Sequence, residues 1–112
     1  MEFFEAKAFT EHLKEYLKDD QYRELQTLLL LNPIEGDIIQ GTGGFRKLRW
    51  ADQRRGKRKR GGLRVIYYYF EGTEQIWMLT IYDKNTSDDL SPAQRKMLKL
   101  ALDKEKKERR LL

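Results

Sequence analysis

Four cations in the middle and later part of the chain have the types and the spacing for phosphate chemistry. Lys47 and Arg49 lie two residues apart in an alternating segment, Arg64 opens an apolar segment, and Lys84 follows the next apolar segment. Residues two apart on a strand point to the same face. In an antiparallel meander, the start of the middle strand lies beside the end of each neighbour, so we expect these four side chains to converge at one edge of a sheet.

Such a patch suits the phosphate of an RNA chain. Guanidinium groups donate paired hydrogen bonds to phosphate oxygens, and fixed positive charge stabilises the charge that develops in a transition state. The 2′-hydroxyl of RNA supplies an internal nucleophile, so cleavage needs no metal and no covalent intermediate with the protein. A lysine crowded by other cations gives up its proton more easily, which makes either Lys47 or Lys84 a candidate for proton transfer.

More basic and polar residues surround these four cations and are candidates for binding RNA. The segment 44–64 holds ten Lys or Arg against one acid, Asp52, in a chain whose net charge is +5. A solvated loop is the alternative explanation of such a charge run, but a basic segment in a small domain is typical of a polyanion-binding surface. The RNA-binding candidates, with Tyr82 able to stack on a base, are Arg46, Arg54, Arg55, Lys57, Arg58, Lys59, Arg60, Tyr82 and Asn85.

The sequence lacks the residues that other classes of catalytic site need. The chain has one histidine, His12, and no cysteine, which argues against histidine or thiolate metal sites and against Ser-His-Asp or Cys-His machinery. The glycines at 41–44 lead into a predicted strand and do not form a phosphate-binding loop. We therefore expect no metal and no cofactor. Without cysteine, a signal peptide or a long apolar run, a cytoplasmic protein with no membrane partner is expected.

The pattern of apolar residues predicts an α+β domain in the order β-α-α-β-β-β-α. The predicted elements are a strand at Phe3 and Phe4, helices ending near Leu17 and Leu31, strands at 45–50, 63–70 and 75–82, and a last helix from the capping box Ser91-Pro92-Ala93-Gln94. We expect a single domain over residues 1–112, in which the helices pack on one face of an antiparallel sheet. A basic loop is expected at residues 51–62, and a frayed tail at residues 105–112.

Three blocks of the sequence, in order, resemble the HigB branch of the ParE/RelE toxin superfamily. They are IQGTGGFRKLR at 39–49, KRGGLRVIYY at 59–68 and LTIYDKN at 79–85, and residues 31–33 and 89–91 also fit. The resemblance covers nearly the whole chain. It implies a compact RelE-like fold and the toxin of a type II toxin–antitoxin pair.

The resemblance also implies an activity, a metal-independent endoribonuclease that cuts mRNA in the A site of the small ribosomal subunit, beside rRNA, and so inhibits translation. In that reaction the 2′-hydroxyl attacks the adjoining phosphate to give a 2′,3′-cyclic phosphate and a 5′-hydroxyl. The implied catalytic roles are phosphate binding for Arg64, proton transfer for Lys47 or Lys84, and charge stabilisation for Arg49. Many relatives carry an arginine directly after the lysine that corresponds to Lys84, and a catalytic tyrosine soon beyond it. This chain has Asn85 and Leu90 in that region.

The partner that the resemblance implies is a HigA-like antitoxin with a helix-turn-helix domain. It would cover or distort the basic site and contact operator DNA, which the toxin would reach only through it. Two alternatives use the same surface: a non-catalytic RNA- or ribosome-binding module, and a degenerate toxin that serves as an antitoxin scaffold in operon regulation. The chemistry of the RNA product separates an enzyme from either alternative.

Overall fold

A computed structural model describes residues 1–54, 59–85 and 89–110 of the chain. Over these residues the elements are β1 (Glu2–Glu5), α1 (Lys7–Tyr16), α2 (Asp19–Leu31), β2 (Asp37–Ile38), β3 (Arg46–Asp52), β4 (Lys59–Phe70), β5 (Gln75–Asp83) and α3 (Pro92–Arg110). The α+β class and the predicted order are confirmed, and the structure adds the two-residue strand β2. Each helix in these ranges is either too short or too polar to span a lipid bilayer.

The strands form one sheet in the order β1-β5-β4-β3-β2. β3, β4 and β5 make the predicted antiparallel meander. β4 lies at its centre because its β-branched and aromatic residues favour a strand that is covered on both faces. β1 joins the far edge parallel to β5, with Phe3 opposite Ile76. The sheet is therefore mixed, where a purely antiparallel one was expected.

The first face of the sheet is covered by α1 and α2. Phe9 of α1 and Leu25 and Leu29 of α2 are fully buried against strand residues that include Val65 and Met78. Burying a side chain of this size contributes roughly 1.5–3 kcal/mol. These contacts fix the two helices against the meander.

The second face is covered by α3. Leu102 is buried in a separate cluster with Ile39, Phe45, Ile66 and Phe70. Val65 and Ile66 follow each other in β4 and therefore point to opposite faces, yet each lies in an apolar cluster. The expectation that all helices pack on one face is wrong, because a strand that is apolar on both sides needs a cover on both.

Two expected irregular segments are shorter than predicted. β3 reaches Asp52 and β4 begins at Lys59, which pairs with Asp52, so strands occupy both ends of the predicted loop 51–62. Helix α3 continues through Arg110, well into the predicted frayed tail. Its end is anchored by Arg109, whose guanidinium lies 4.0 Å from the ring centroid of Phe70 and 5.1 Å from that of Phe4. Residues 111–112 lie outside the described residues.

Candidate nucleic-acid interface

Three of the predicted site residues form a row across the meander. Arg49 of β3 pairs with Arg64 of β4, and Arg64 pairs with Tyr82 of β5. Directly opposite residues of antiparallel strands point to the same face. This is the face that α3 covers, since Arg64 lies two residues before Ile66 on β4.

The two lysines lie on either side of this row. Lys47 precedes Arg49 on the same face, and its Nζ is 3.2 Å from Oδ1 of Asp89, just before α3. Lys84 is exposed in the turn that follows β5. Its backbone N–H donates to the carbonyl of Gly62 at 3.1 Å, which fixes this turn beside the start of β4. The structure thus places all four predicted cations at one end of the meander.

Arg64 differs from Arg49 in its burial. Only 6% of Arg64 is exposed, and its Nη1 donates to the carbonyl of Leu63 at 3.3 Å, whereas Arg49 is exposed. A charge held in a low-dielectric, packed setting acts on a nearby anion more strongly than a charge in water. The pair therefore offers a fixed cation beside an accessible one.

Arg46 lies away from this patch. It pairs with Tyr67, a residue of the core on the first face. Its Nη1 donates to the carbonyl of Gly36 at 2.8 Å and to that of Ile34 at 3.3 Å. The side-chain alternation of β3 turns Arg46 away from Lys47 and Arg49, so Arg46 lies outside their row, and its contact with RNA stays a prediction.

Arg54 is engaged by two buried carboxylates. Its Nη2 is 2.8 Å from Oδ2 of Asp52 and 3.1 Å from Oδ2 of Asp83, whose side chains are 1% and 9% exposed. The guanidinium also lies 4.5 Å from the ring centroid of Tyr16. The hydrogen bond to Asp52 is the main cause that raises the pKa of Arg54. Arg54 thus joins the ends of β3 and β5, and its contact with RNA stays a prediction.

The remaining RNA-binding candidates are described only in part. Arg55, Lys57 and Arg58 lie outside the described residues. Lys59 and Arg60 begin β4, and only their backbone is described. Asn85 is exposed, and its backbone N–H donates to Oδ1 of Asp83 at 2.9 Å, which shapes the turn that carries Lys84.

Helix α3 carries basic charge that was not predicted as part of the site. Residues 92–110 hold eight Lys or Arg against three acids. Because α3 covers the second face, its cations Arg95, Lys96 and Lys99 lie on the same side of the sheet as Arg49 and Arg64. Counting charge for each predicted element, instead of for the basic segment alone, would have found them.

No family model matches the chain. Among solved structures, the chain is similar to the free state of a double arginine-to-alanine mutant of the Escherichia coli toxin RelE. The TM-score is 0.54 at 13% sequence identity, over 78% of this chain and 86% of that chain. At this identity the similarity concerns the fold alone. With the observed order of elements and the central meander, it shows that the chain has a RelE-like fold.

Proposed function

We propose that the chain is the toxin of a type II toxin–antitoxin pair, of the HigB branch, and that it cleaves mRNA on the ribosome. The observation that carries the proposal is the pairing of Arg49 with Arg64 across β3 and β4. Directly opposite residues of antiparallel strands have neighbouring side chains on one face. A phosphate at this position can accept hydrogen bonds from both guanidinium groups.

The cleavage follows from a phosphate held in this position. The 2′-oxygen of the preceding nucleotide attacks the phosphorus and loses its proton to a base, the bond from phosphorus to the 5′-oxygen breaks, and that oxygen takes up a proton. The products are a 2′,3′-cyclic phosphate and a 5′-hydroxyl. Buried Arg64 holds the phosphate, and exposed Arg49 stabilises the charge that develops on it. Lys47 and Lys84 are the two candidates for proton transfer, and Tyr82 lies where it can stack on a base.

The direct test is primer extension on a defined mRNA in a reconstituted ribosome reaction. The wild type should produce new 5′ ends only when ribosomes are present. Arg49→Ala should reduce the rate about 100-fold, the effect of losing one group that stabilises the transition state. Arg23→Ala is the matched control, because it removes an exposed guanidinium from α2 on the other face and should cut like the wild type.

The charge of Arg64 is tested with a substitution that preserves the volume of its side chain better than alanine does. At 6% exposure its side chain is packed, so Arg64→Ala also removes buried volume. Arg64→Met keeps an aliphatic stem of similar length without the charge, and it should fold and lose cleavage. Single Lys47→Ala and Lys84→Ala variants identify the proton-transfer residue, since only that variant should lose rate without losing affinity for RNA.

Product chemistry separates this function from the non-catalytic alternatives. A 5′-hydroxyl end accepts a radioactive phosphate from polynucleotide kinase without prior phosphatase treatment, so the fragments should label directly. A folded wild type that cuts at no codon would refute catalysis and leave the RNA-binding or scaffold function. In either case, the proposed partner is a HigA-like helix-turn-helix antitoxin whose acidic segments complement this surface and which alone contacts operator DNA.

A further inference from the structure

A second basic groove lies beside the candidate site, between α3 and the turn at residues 40–41. Its volume is about 570 Å³, and its lining includes Gln40, Gly41 and the cations Arg95, Lys96 and Lys99. Positions three and four apart on a helix share one side, so Lys99 stands beside both Arg95 and Lys96. Among the described residues that line the groove, none carries a carboxylate.

The groove is held in shape by contacts between its walls. Arg95 donates from Nη1 to the carbonyl of Gln40 and from Nε to the carbonyl of Leu90, each at 3.3 Å. Gly43 has a φ of +84°, and a Cβ there would lie 3.2 Å from Cδ2 of Leu102, so glycine lets α3 come close. A preformed groove gives up less conformational entropy when it binds a ligand.

The segment that precedes α3 connects the groove with the candidate site. Leu90 lines the groove and directly follows Asp89, whose carboxylate contacts Lys47 of the candidate site. Both surfaces lie on the face that α3 covers. An extended polyanion held at Arg49 and Arg64 can therefore continue along α3.

We propose that this groove binds the phosphate backbone of RNA next to the phosphate that is cleaved. This inference rests on the proposed function, since it takes the RNA held at Arg49 and Arg64 as its ligand. RNA fits better than an acidic peptide, because the groove adjoins the proposed phosphate site and presents three cations, with no acid among its lining residues in the part of the chain that the structure describes. Arg95 shapes the wall, while exposed Lys96 and Lys99 contact phosphates.

The test measures the affinity of a fluorescein-labelled, fully 2′-O-methylated RNA 12-mer, which cannot be cleaved, by fluorescence anisotropy over a range of salt concentrations. Lys96→Ala/Lys99→Ala should lose two phosphate contacts. The slope of the logarithm of affinity against the logarithm of salt concentration should then be shallower by about 1.4 than in the wild type, and the affinity at 0.1 M salt should be about 25-fold lower. Lys104→Ala/Lys107→Ala is the matched control. It removes two exposed lysines with the same spacing, about 12 Å further along α3, and should bind close to wild type.

The outcomes separate the groove from the enzyme. If the wild type cleaves mRNA while the two double variants bind RNA equally well, the groove is refuted and the proposed function stands. A second outcome is that the wild type cleaves no RNA, while Lys96→Ala/Lys99→Ala is the one double variant that loses affinity and salt dependence. In that case the groove stands and catalysis fails. Circular dichroism of each variant verifies that it is folded before binding is compared.

Discussion

Replacing Arg54 by alanine tests whether this residue holds the fold or binds RNA. The change takes the guanidinium away from two carboxylates that are 1% and 9% exposed, those of Asp52 and Asp83. Removing one partner of a fully buried ion pair costs about 3–5 kcal/mol. Arg54 is itself 34% exposed, so water replaces part of the interaction and about 2–3 kcal/mol remains. The contact with Tyr16 adds about 0.5 kcal/mol.

We therefore expect Arg54→Ala to lower the free energy of unfolding by about 3 kcal/mol, or the Tm by about 12 °C in a domain of this size. Urea denaturation followed by circular dichroism measures the loss, with Arg23→Ala as a surface control that should stay within about 0.5 kcal/mol of wild type. Adding Asp52→Asn to Arg54→Ala should recover part of the stability, because one buried charge is then removed. A fully stable Arg54→Ala protein with weakened RNA binding would refute the structural role and restore the RNA contact.

Four further substitutions test other parts of the fold. Tyr67→Phe removes a buried hydroxyl that donates to the carbonyl of Pro33 at 2.8 Å and accepts from the N–H of Gly36 at 2.9 Å, so urea denaturation should show a loss of about 1–3 kcal/mol. Gly44→Ala forces a Cβ at a φ of +124° to within 3.1 Å of the Tyr68 ring, and it should lower the Tm by several degrees, whereas Gly72→Ala, at a φ of +82° but in open space, should lower it less. Burial and the bond to Glu5 raise the pKa of Tyr22, so its contribution to stability is complete below about pH 10 and is lost as pH rises further. Tyr22→Phe should flatten that alkaline loss in unfolding curves measured between pH 8 and pH 11, and an unchanged slope would contradict this assignment.

Local signals in the sequence predicted local structure well. At the start of α3, the N–H of Gln94 donates to Oγ of Ser91 at 3.1 Å, and the N–H of Ser91 donates to Oε1 of Gln94 at 2.8 Å, as the capping box predicts. Strands β3, β4 and β5 followed from apolar and aromatic runs, and their register placed Arg49 beside Arg64. These features depend on neighbours in the chain or on one simple meander, so composition and periodicity reveal them.

Features that depend on distant partners were harder to predict. The helical pattern of α3 shows that one side is apolar but does not tell which face of the sheet it covers. Arg54 looked like any other cation of the basic segment, because one of its two carboxylate partners, Asp83, lies 29 positions away in the chain. Arg46 is a different case, because the alternation along β3 already places its side chain on the opposite face from Lys47. It was named as an RNA-binding candidate only because it belongs to the basic segment.

The parallel pairing of β1 with β5 has a consequence for how the molecule is made. Glu2 lies beside Gln75, a separation of 73 positions, and α1 packs on β5 as well. Contacts so distant in sequence are slow to form and cannot form before both partners exist. During synthesis β1 and α1 therefore cannot reach their final packing until β5 has been made. Tyr82 of β5 completes the row of Arg49 and Arg64 at the same stage. A chain interrupted before this point has neither the finished sheet nor the complete basic row, so the architecture delays the assembly of this row until synthesis is well advanced.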